Sequence, residues 1–490
     1  VDKVRASRAG HTFHESWTAR RALQLVFPKD DLHTIAIEGI SSHDSAEPGD
    51  EAEDVADLVL YYGNDDTFAS CETLNTAQFK HKADGQAVTS SYLKKTIQKF
   101  AETITGYEKS SPSDEVDKKL SFSFVPNCEF IDQLWEAIRY LQGGERPTST
   151  AGLSQLKNLG NWCKEKSVSP ARLFSRTSFQ AATENLAAQN LRLKRALCDW
   201  SAGADAQSRM RLFELTELAR EKAGLRSQEN NLIKREDVLD ALGCDVEDLF
   251  PAETRFINVG EVIYRALQAE VSDLLNTSNI PVLLHAVGGV GKTVFVQSIA
   301  LEWAEKYEVV AFDCFGGGAY RSEDQGRHLP KIGLLQVVNE LAARGLRDPM
   351  PPSDNDTIGI VNATRKRLEQ ASKTVVEQSQ KLGVLVVLDA DNAQIEAEYR
   401  NQDAFPKLLL TSLARRPIEN VKLLLTARTY RMSEVTGQSV IAQYEPPPFD
   451  SSEIKVFVKN RRESVSRAEL ARAKARSGGN ARVLDYLVKS

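Results

Sequence analysis

The chain has 490 residues, with 62 Lys and Arg against 68 Asp and Glu and a formal net charge of −6. Its 41% hydrophobic and 27% charged content is that of an ordinary globular protein and excludes global disorder, collagen-like repeats and coiled-coil rods. A net acidic chain is not a general polyanion binder, although a local basic surface stays open. The length predicts about three domains. Apolar runs such as Val384 to Leu388 are far shorter than the roughly 20 residues needed to span a bilayer. The start, Val1-Asp2-Lys3, leads into polar residues without an apolar h-region, so no secretory signal and a cytoplasmic location are expected. The six cysteines form no C-x-x-C pair and no metal-finger spacing, which predicts reduced, mostly buried thiols.

In chain order, residues 1–145 predict a helix over 12–27, strands over 34–38, 55–62 and 75–81, a helix over 90–104 and a strand over 120–126. The acidic stretch from Asp44 to Asp57 reads as a solvated loop. Period-2 alternation places Gln78 and Lys80 on one strand face and Ala77 and Phe79 on the other. Asp57 shares a face with Val59 and Tyr61 on the preceding strand. A carboxylate and a Gln-x-Lys on neighbouring strands are costly in a sheet core unless they serve a site. Phosphodiester hydrolysis uses such a set. Asp57 would hold Mg²⁺, and the Gln78 amide with the Phe79 carbonyl would complete its oxygen shell. Lys80 would position or activate the attacking water and neutralise charge on the phosphate. The alternative is a cross-strand ion pair between Asp57 and Lys80. Glu15 is a further candidate metal-shell acid, yet Thr12 to Glu15 also fits a T-x-x-E capping box. Glu38, at the end of its strand, is either a metal-shell acid or a solvated strand end.

Gly143-Gly144 and Pro147 mark a helix-breaking joint, after which 146–255 reads as a helical, basic linker region. Arg172, Arg176, Arg192, Lys194, Arg195, Arg209 and Arg211 would contact DNA phosphates or form a solvated helix face. Leu173, Leu193, Leu197 and Phe213 read as core.

From 256 to 445, strands and helices alternate as in a parallel α/β domain. Val282 to Leu284 predicts a buried strand, followed by a Gly-rich turn and a helix with Phe295, Ile299 and Trp303 on one face. Gly288, Gly289 and Gly291 would let backbone N–H groups converge on phosphate oxygens, Lys292 would reach the β- and γ-phosphates, and the Thr293 hydroxyl would bind Mg²⁺. Ala286 stands where the strict phosphate-loop pattern has its first Gly. Gly383 to Leu388 predicts a second buried strand delivering Asp389 to the Mg²⁺ site or simply starting a turn, with Asp391 close enough in sequence to orient a water. Val421 to Leu425 predicts a third, and Arg428 beyond it would sense the γ-phosphate or form a surface salt bridge. Pro446 to Pro448 separate this block from a helical piece, 446–490.

Two resemblances follow from these motifs. GGVGKT at 288–293, VLVVLDADNA at 384–393, LLLTAR at 423–428 and SGGNARVLDYL at 477–487 resemble the STAND class of P-loop NTPases, which includes NACHT and NB-ARC proteins. The order helix–three strands–helix–strand with Gln78-Phe79-Lys80 resembles the PD-(D/E)xK restriction-endonuclease-like nucleases. The segment from Arg8-Ala9-Gly10 through Gln78-Phe79-Lys80 looks like the double-stranded-DNA nuclease effector fused to antiviral STAND NTPases and to cyclic-oligonucleotide-sensing defence proteins. Together they imply an α/β protein with a nuclease-like αβββαβ core over 1–145, a helical linker domain, a P-loop NTPase over 256–445 and the start of a helical lid. The implied activity is an ATP-gated antiphage sensor that cuts double-stranded DNA with Mg²⁺. The implied partners are a phage-protein trigger read by a further C-terminal region and further copies of the chain in a tetramer. Asp391-Asn392, where the NACHT pattern expects an acidic pair, implies slow hydrolysis with ATP acting as a switch. The rival expectation is a nucleotide-dependent signalling scaffold with a degenerate nuclease fold.

Overall fold

The computed structural model describes every residue except 1, 2, 28–30, 45–56, 83, 181–184, 201–204, 225–229, 253–262, 264, 266, 323, 324, 354, 355, 463, 464 and 490. Most of the expected acidic loop before Asp57, and the first residues of the strand expected over 55–62, lie outside the described residues. The chain divides into two compact units, Val1–Cys198 with Asp205–Asp245, and Asp199–Ala204 with Val246–Ser490.

The first unit is built on a six-stranded sheet. Its strands are β1 (Leu32–Ile37), β2 (Leu58–Tyr62), β3 (Thr73–Lys80), β4 (Leu120–Pro126), β5 (Thr177–Phe179) and β6 (Leu232–Ile233), in the order β5-β4-β3-β2-β1-β6. β1, β2 and β3 pair antiparallel, and β3, β4 and β5 pair parallel. The helix Ser90–Tyr107 makes the crossover that the parallel β3–β4 pair requires. It buries Leu93, Ile97, Phe100 and Ile104 at helical spacing in one core with Leu74, Phe122 and Phe124. The opposite side of β3 carries Phe79, whose ring meets Phe13, His14 and Trp17 of the helix Lys3–Ala22. The middle block is not purely helical as expected, because β5 and β6 complete both edges of this sheet. At three and two residues they are too short for period-2 patterning to register.

The second unit holds a wholly parallel sheet of β7 (Val282–Ala286), β8 (Glu308–Asp313), β9 (Val384–Asp389), β10 (Val421–Arg428) and β11 (Ala442–Tyr444), in the order β11-β7-β10-β9-β8. Both faces are covered, which explains the uninterrupted apolar runs. Leu385 and Val387 point into a core with Val271, Phe295, Ile299 and Trp303. Val384, Val386 and Leu388 point into the other core, with Leu334, Leu341, Leu368 and Phe405. Trp303 is fastened there by its indole N–H, which donates to Ser272 Oγ at 2.8 Å. Three helices follow, Ser451–Lys459, Arg467–Ser477 and Ala481–Lys489, around Ile454, Phe457, Val458, Leu484 and Val488. None of the six cysteines forms a disulfide, and five are buried. Among the described residues no helix is long and apolar enough to cross a membrane.

Candidate functional site

A parallel sheet brings the carboxyl ends of its strands to one edge, so residues distant in sequence meet there. In the second unit, register places Asp313 of β8 opposite Asp389 of β9, Asp389 opposite Thr426 of β10, and Arg428 opposite Ala286 of β7. Ala286 leads directly into the glycine loop, and the helix Lys292–Trp303 starts at its end. Gly289 and Gly291 have φ of 85° and 97°, left-handed values that favour glycine.

The charges along this edge act on one another. Burial lowers the Lys292 ammonium below its ordinary value, while Asp391 and Asp389 oppose the shift. Its Nζ donates to the carbonyls of Ala286 at 2.9 Å and Val287 at 3.3 Å. Burial, then the neighbouring Asp391 and Asp313 carboxylates, push Asp389 up to about 7. Thr426 Oγ1 donates to Asp389 at 3.1 Å, and Asn392 Nδ2 lies 3.4 Å from its other oxygen. Asp391 is buried and accepts from the Arg428 N–H at 3.0 Å, and the Arg428 guanidinium sits 3.4 Å from it. Thr293 is exposed on the first turn of the helix.

Sequence reasoning left Asp313 unassigned and passed over Thr426. Asp313 accepts from the N–H groups of Phe315 and Gly316, and burial raises its acid. An acid at a strand end was the available signal for Asp313; nothing short of strand register identifies Thr426.

In the first unit the antiparallel register sets Leu58 opposite Ala77, which brings Asp57 to Gln78. Asp57 Oδ2 accepts from Gln78 Nε2 at 2.6 Å and from the Phe79 N–H at 2.5 Å. Gln78 therefore donates to the carboxylate with which it was expected to share a metal shell. Glu38 stands in the left-handed region at φ 52°, its N–H donating to the Asp57 carbonyl at 3.0 Å. Its residue is exposed, yet crowding around the carboxyl and the Asp57 charge push it up to about 7. Burial lowers the Lys80 ammonium against the pull of Asp57, with Lys99 and Lys95 adding to the lowering.

Glu15 departs from the capping-box expectation. Its helix begins at Lys3, so Thr12 is interior and its hydroxyl donates back to the Arg8 carbonyl at 3.0 Å instead of capping. Glu15 pairs with Arg220 through contacts of 3.1 and 3.0 Å and lines an open groove of about 880 Å³ with Arg8, His11 and Thr12. The neighbouring His14 feels Asp57 and Lys80. Burial first, with the His11, Lys80 and His81 charges adding, sets its imidazole below the ordinary range against the pull of Asp57. Among the described residues no three His, Cys, Asp or Glu side chains converge as a metal-ligand group.

The basic middle is partly spent on structure. Arg172 pairs with Glu108 and Asp117 at 2.7 Å each, and Arg176 pairs with Asp117 at 2.9 Å. Arg211 is buried and donates to the Leu242 carbonyl at 3.0 Å. Arg195 is exposed, as is Phe213, which was expected in the core.

No family description matches this chain, and no curated protein matches it. Some solved structures are similar to parts of it. A Walker-type ATPase of Pyrococcus abyssi is similar over 49% of this chain and 71% of its own, at 13% identity and a TM-score of 0.33. A STAND protein with a tetratricopeptide-repeat sensor from Pyrococcus horikoshii is similar over 50% of this chain and 32% of its own, at 16% identity and a TM-score of 0.29. The Cap4 SAVED/CARF-domain receptor of Acinetobacter baumannii, solved with a cyclic trinucleotide, is similar over 80% of this chain and 66% of its own, at 11% identity and a TM-score of 0.28.

Proposed function

We propose that the second unit binds ATP with Mg²⁺ as a conformational switch, and that the first unit is a Mg²⁺-dependent double-stranded-DNA endonuclease under its control. The observation that carries the reading is the convergence of Lys292, Asp389, Asp391 and Arg428 on the edge where the glycine loop ends. The residues fit the ligand. The left-handed glycines bring backbone to a phosphate without a Cβ, and an acid crowded by two others gains from a nearby cation.

Lys292 and Arg428 supply positive charge for the phosphates, Thr293 and Asp389 supply oxygens for Mg²⁺, and Thr426 with Asn392 orient Asp389. Mg²⁺, when bound, would offset negative charge on the phosphate oxygens. Asp391 is held by Arg428, so the chain spends its second acid on orienting an arginine. That suits slow hydrolysis and an ATP-held state.

In the first unit Asp57 and Glu38 would hold the metal and Lys80 would position water, with Gln78 steadying Asp57. His14 replaces Glu15 as the first-helix side chain near this site. The antiphage setting, the phage-protein trigger and assembly into a tetramer rest on the sequence resemblance alone.

One observation favours the second reading, a signalling scaffold. Gln78 and the Phe79 N–H already occupy one Asp57 oxygen. Supercoiled plasmid, Mg²⁺ and ATP separate the two. Nicking by the native chain that disappears in Lys80→Ala supports the nuclease. No nicking by either, with the chain assembled on ATP, supports the scaffold.

A further inference from the structure

The turn between the last two helices touches the glycine loop directly. Asn480 Nδ2 donates to the Gly288 carbonyl at 2.8 Å. The Arg482 N–H donates to the Gly289 carbonyl at 2.9 Å. A Cβ at Gly289 would fall 2.6 Å from Asn480 Oδ1, so the loop needs glycine there for contact as well as for φ. The turn is itself held, because the Phe449 N–H donates to the Gly479 carbonyl at 2.9 Å and a Cβ at Gly479 would strike the Phe449 carbonyl at 2.5 Å.

The geometry of the peptide unit gives these contacts a consequence. A trans peptide is planar, and its C=O and N–H point to opposite sides. Holding the Gly288 carbonyl toward the turn therefore aims the Gly289 N–H away from it. Holding the Gly289 carbonyl does the same for the Val290 N–H. Neither N–H has a partner among the described residues. Two consecutive unpartnered N–H groups beside a left-handed glycine form an anion-binding concavity.

We infer that Asn480 is a positioning residue of the phosphate loop: with the Arg482 N–H, it grips the loop's carbonyls and thereby presents the Gly289 and Val290 N–H groups to a phosphate. The inference rests on the reading of this loop as a phosphate site and deepens it. The turn takes the carbonyls, and among the described residues nothing bonds the two N–H groups. The residue type fits the task. The Asn480 amide donates to the loop while its Oδ1 accepts from the N–H groups of Arg482 and Val483, at 3.1 and 3.3 Å, capping the last helix.

That double role supplies the test. Asn480→Ser keeps a capping oxygen and removes the Nδ2 amide, its hydroxyl being one atom too short to cap the helix and reach Gly288 as well; Asn480→Thr repeats the change with a second capping residue in case the first loses its fold. Calorimetric titrations of the full chain with ADP and with adenosine read the effect. Loss of one neutral hydrogen bond predicts about fivefold weaker ADP binding. Adenosine, which has no phosphate, should bind the variant and the native chain alike. ADP binding as tight as in the native chain, or tighter, would overturn the inference, and the tighter case would make the turn a gate. Equal proportional losses for ADP and adenosine would also overturn it, because they would show general loosening. If the native chain and Lys292→Ala bind ADP equally weakly, the phosphate-site reading fails first and the inference falls with it.

Discussion

The two candidate sites are built from opposite kinds of sheet. At the loop edge of the second unit, four parallel strands end side by side and deliver Ala286, Asp313, Asp389 and Arg428 from across the unit's sequence. In the first unit, Asp57 and Gln78 meet because β2 and β3 are antiparallel neighbours, and the set spans few residues. At the parallel edge the loop N–H groups of Gly289 and Val290 have no hydrogen-bond partner among the described residues. The antiparallel pair closes on itself, since Asp57 spends Oδ2 on Gln78 and Phe79. A parallel sheet gathers donors around a space, whereas a strand pair tends to satisfy its polar groups internally.

The largest expected effects separate the two sites. Lys292→Ala should weaken ATP binding about a hundredfold, as removing one partner of a desolvated charge pair does. Lys80→Ala should leave ATP binding intact and abolish plasmid nicking. Fluorescent-nucleotide titration beside a nicking assay reads both, and a loss of nucleotide binding in Lys80→Ala would break the separation.

Next comes stability. Asp57→Ala strands the Gln78 amide and the Phe79 N–H in a buried strand pair, at a cost of about 2–3 kcal/mol. Asp57→Asn should cost less, because its amide oxygen can still accept. Thermal melting of both variants checks this. Equal melting temperatures would show that the pair contributes nothing to the fold.

A smaller effect is pH-dependent. Asp389 is pushed from 3.8 to about 7 in the folded chain, so the folded state holds an extra proton between those values. Its contribution to stability is fully present below the unfolded value and is lost as pH rises through about 7. Glu38, raised from 4.5 to about 7, adds the same sign. Melting at pH 5 and pH 8 should show less of this decline in Asp389→Asn, and an unchanged decline would remove Asp389 as its source.

The smallest effect is expected at Glu15. Arg220→Ala removes an exposed ion pair and should change stability by no more than about 1 kcal/mol, with nicking retained. If Arg220→Ala or Glu15→Gln abolished nicking while His14→Ala did not, the exchange of Glu15 for His14 at the first-unit site would be wrong.

Much of this was legible in the residues. GGVGKT is contiguous, and its chemistry needs only local backbone. The continuous apolar run before Asp389 reports a strand buried on both faces, and period 2 separates Lys80 from Phe79. Glu15 was misread because a capping box is a local pattern, and the helix starts nine residues earlier, at Lys3. β5 and β6 escaped because two or three residues carry no periodicity.

Local residue patterns specify the elements and the chemical groups they carry: a glycine loop with its lysine, strand-end acids and a Gln-x-Lys. These follow from interactions a few residues apart, where spacing and turn chemistry leave few choices. Which groups meet is set by the folded chain. It turned Glu15 to Arg220, set Asp313 beside Asp389, closed Gln78 on Asp57 and brought Asn480 to Gly288. Those pairings depend on strand register and helix docking over tens to hundreds of residues, which no local pattern encodes.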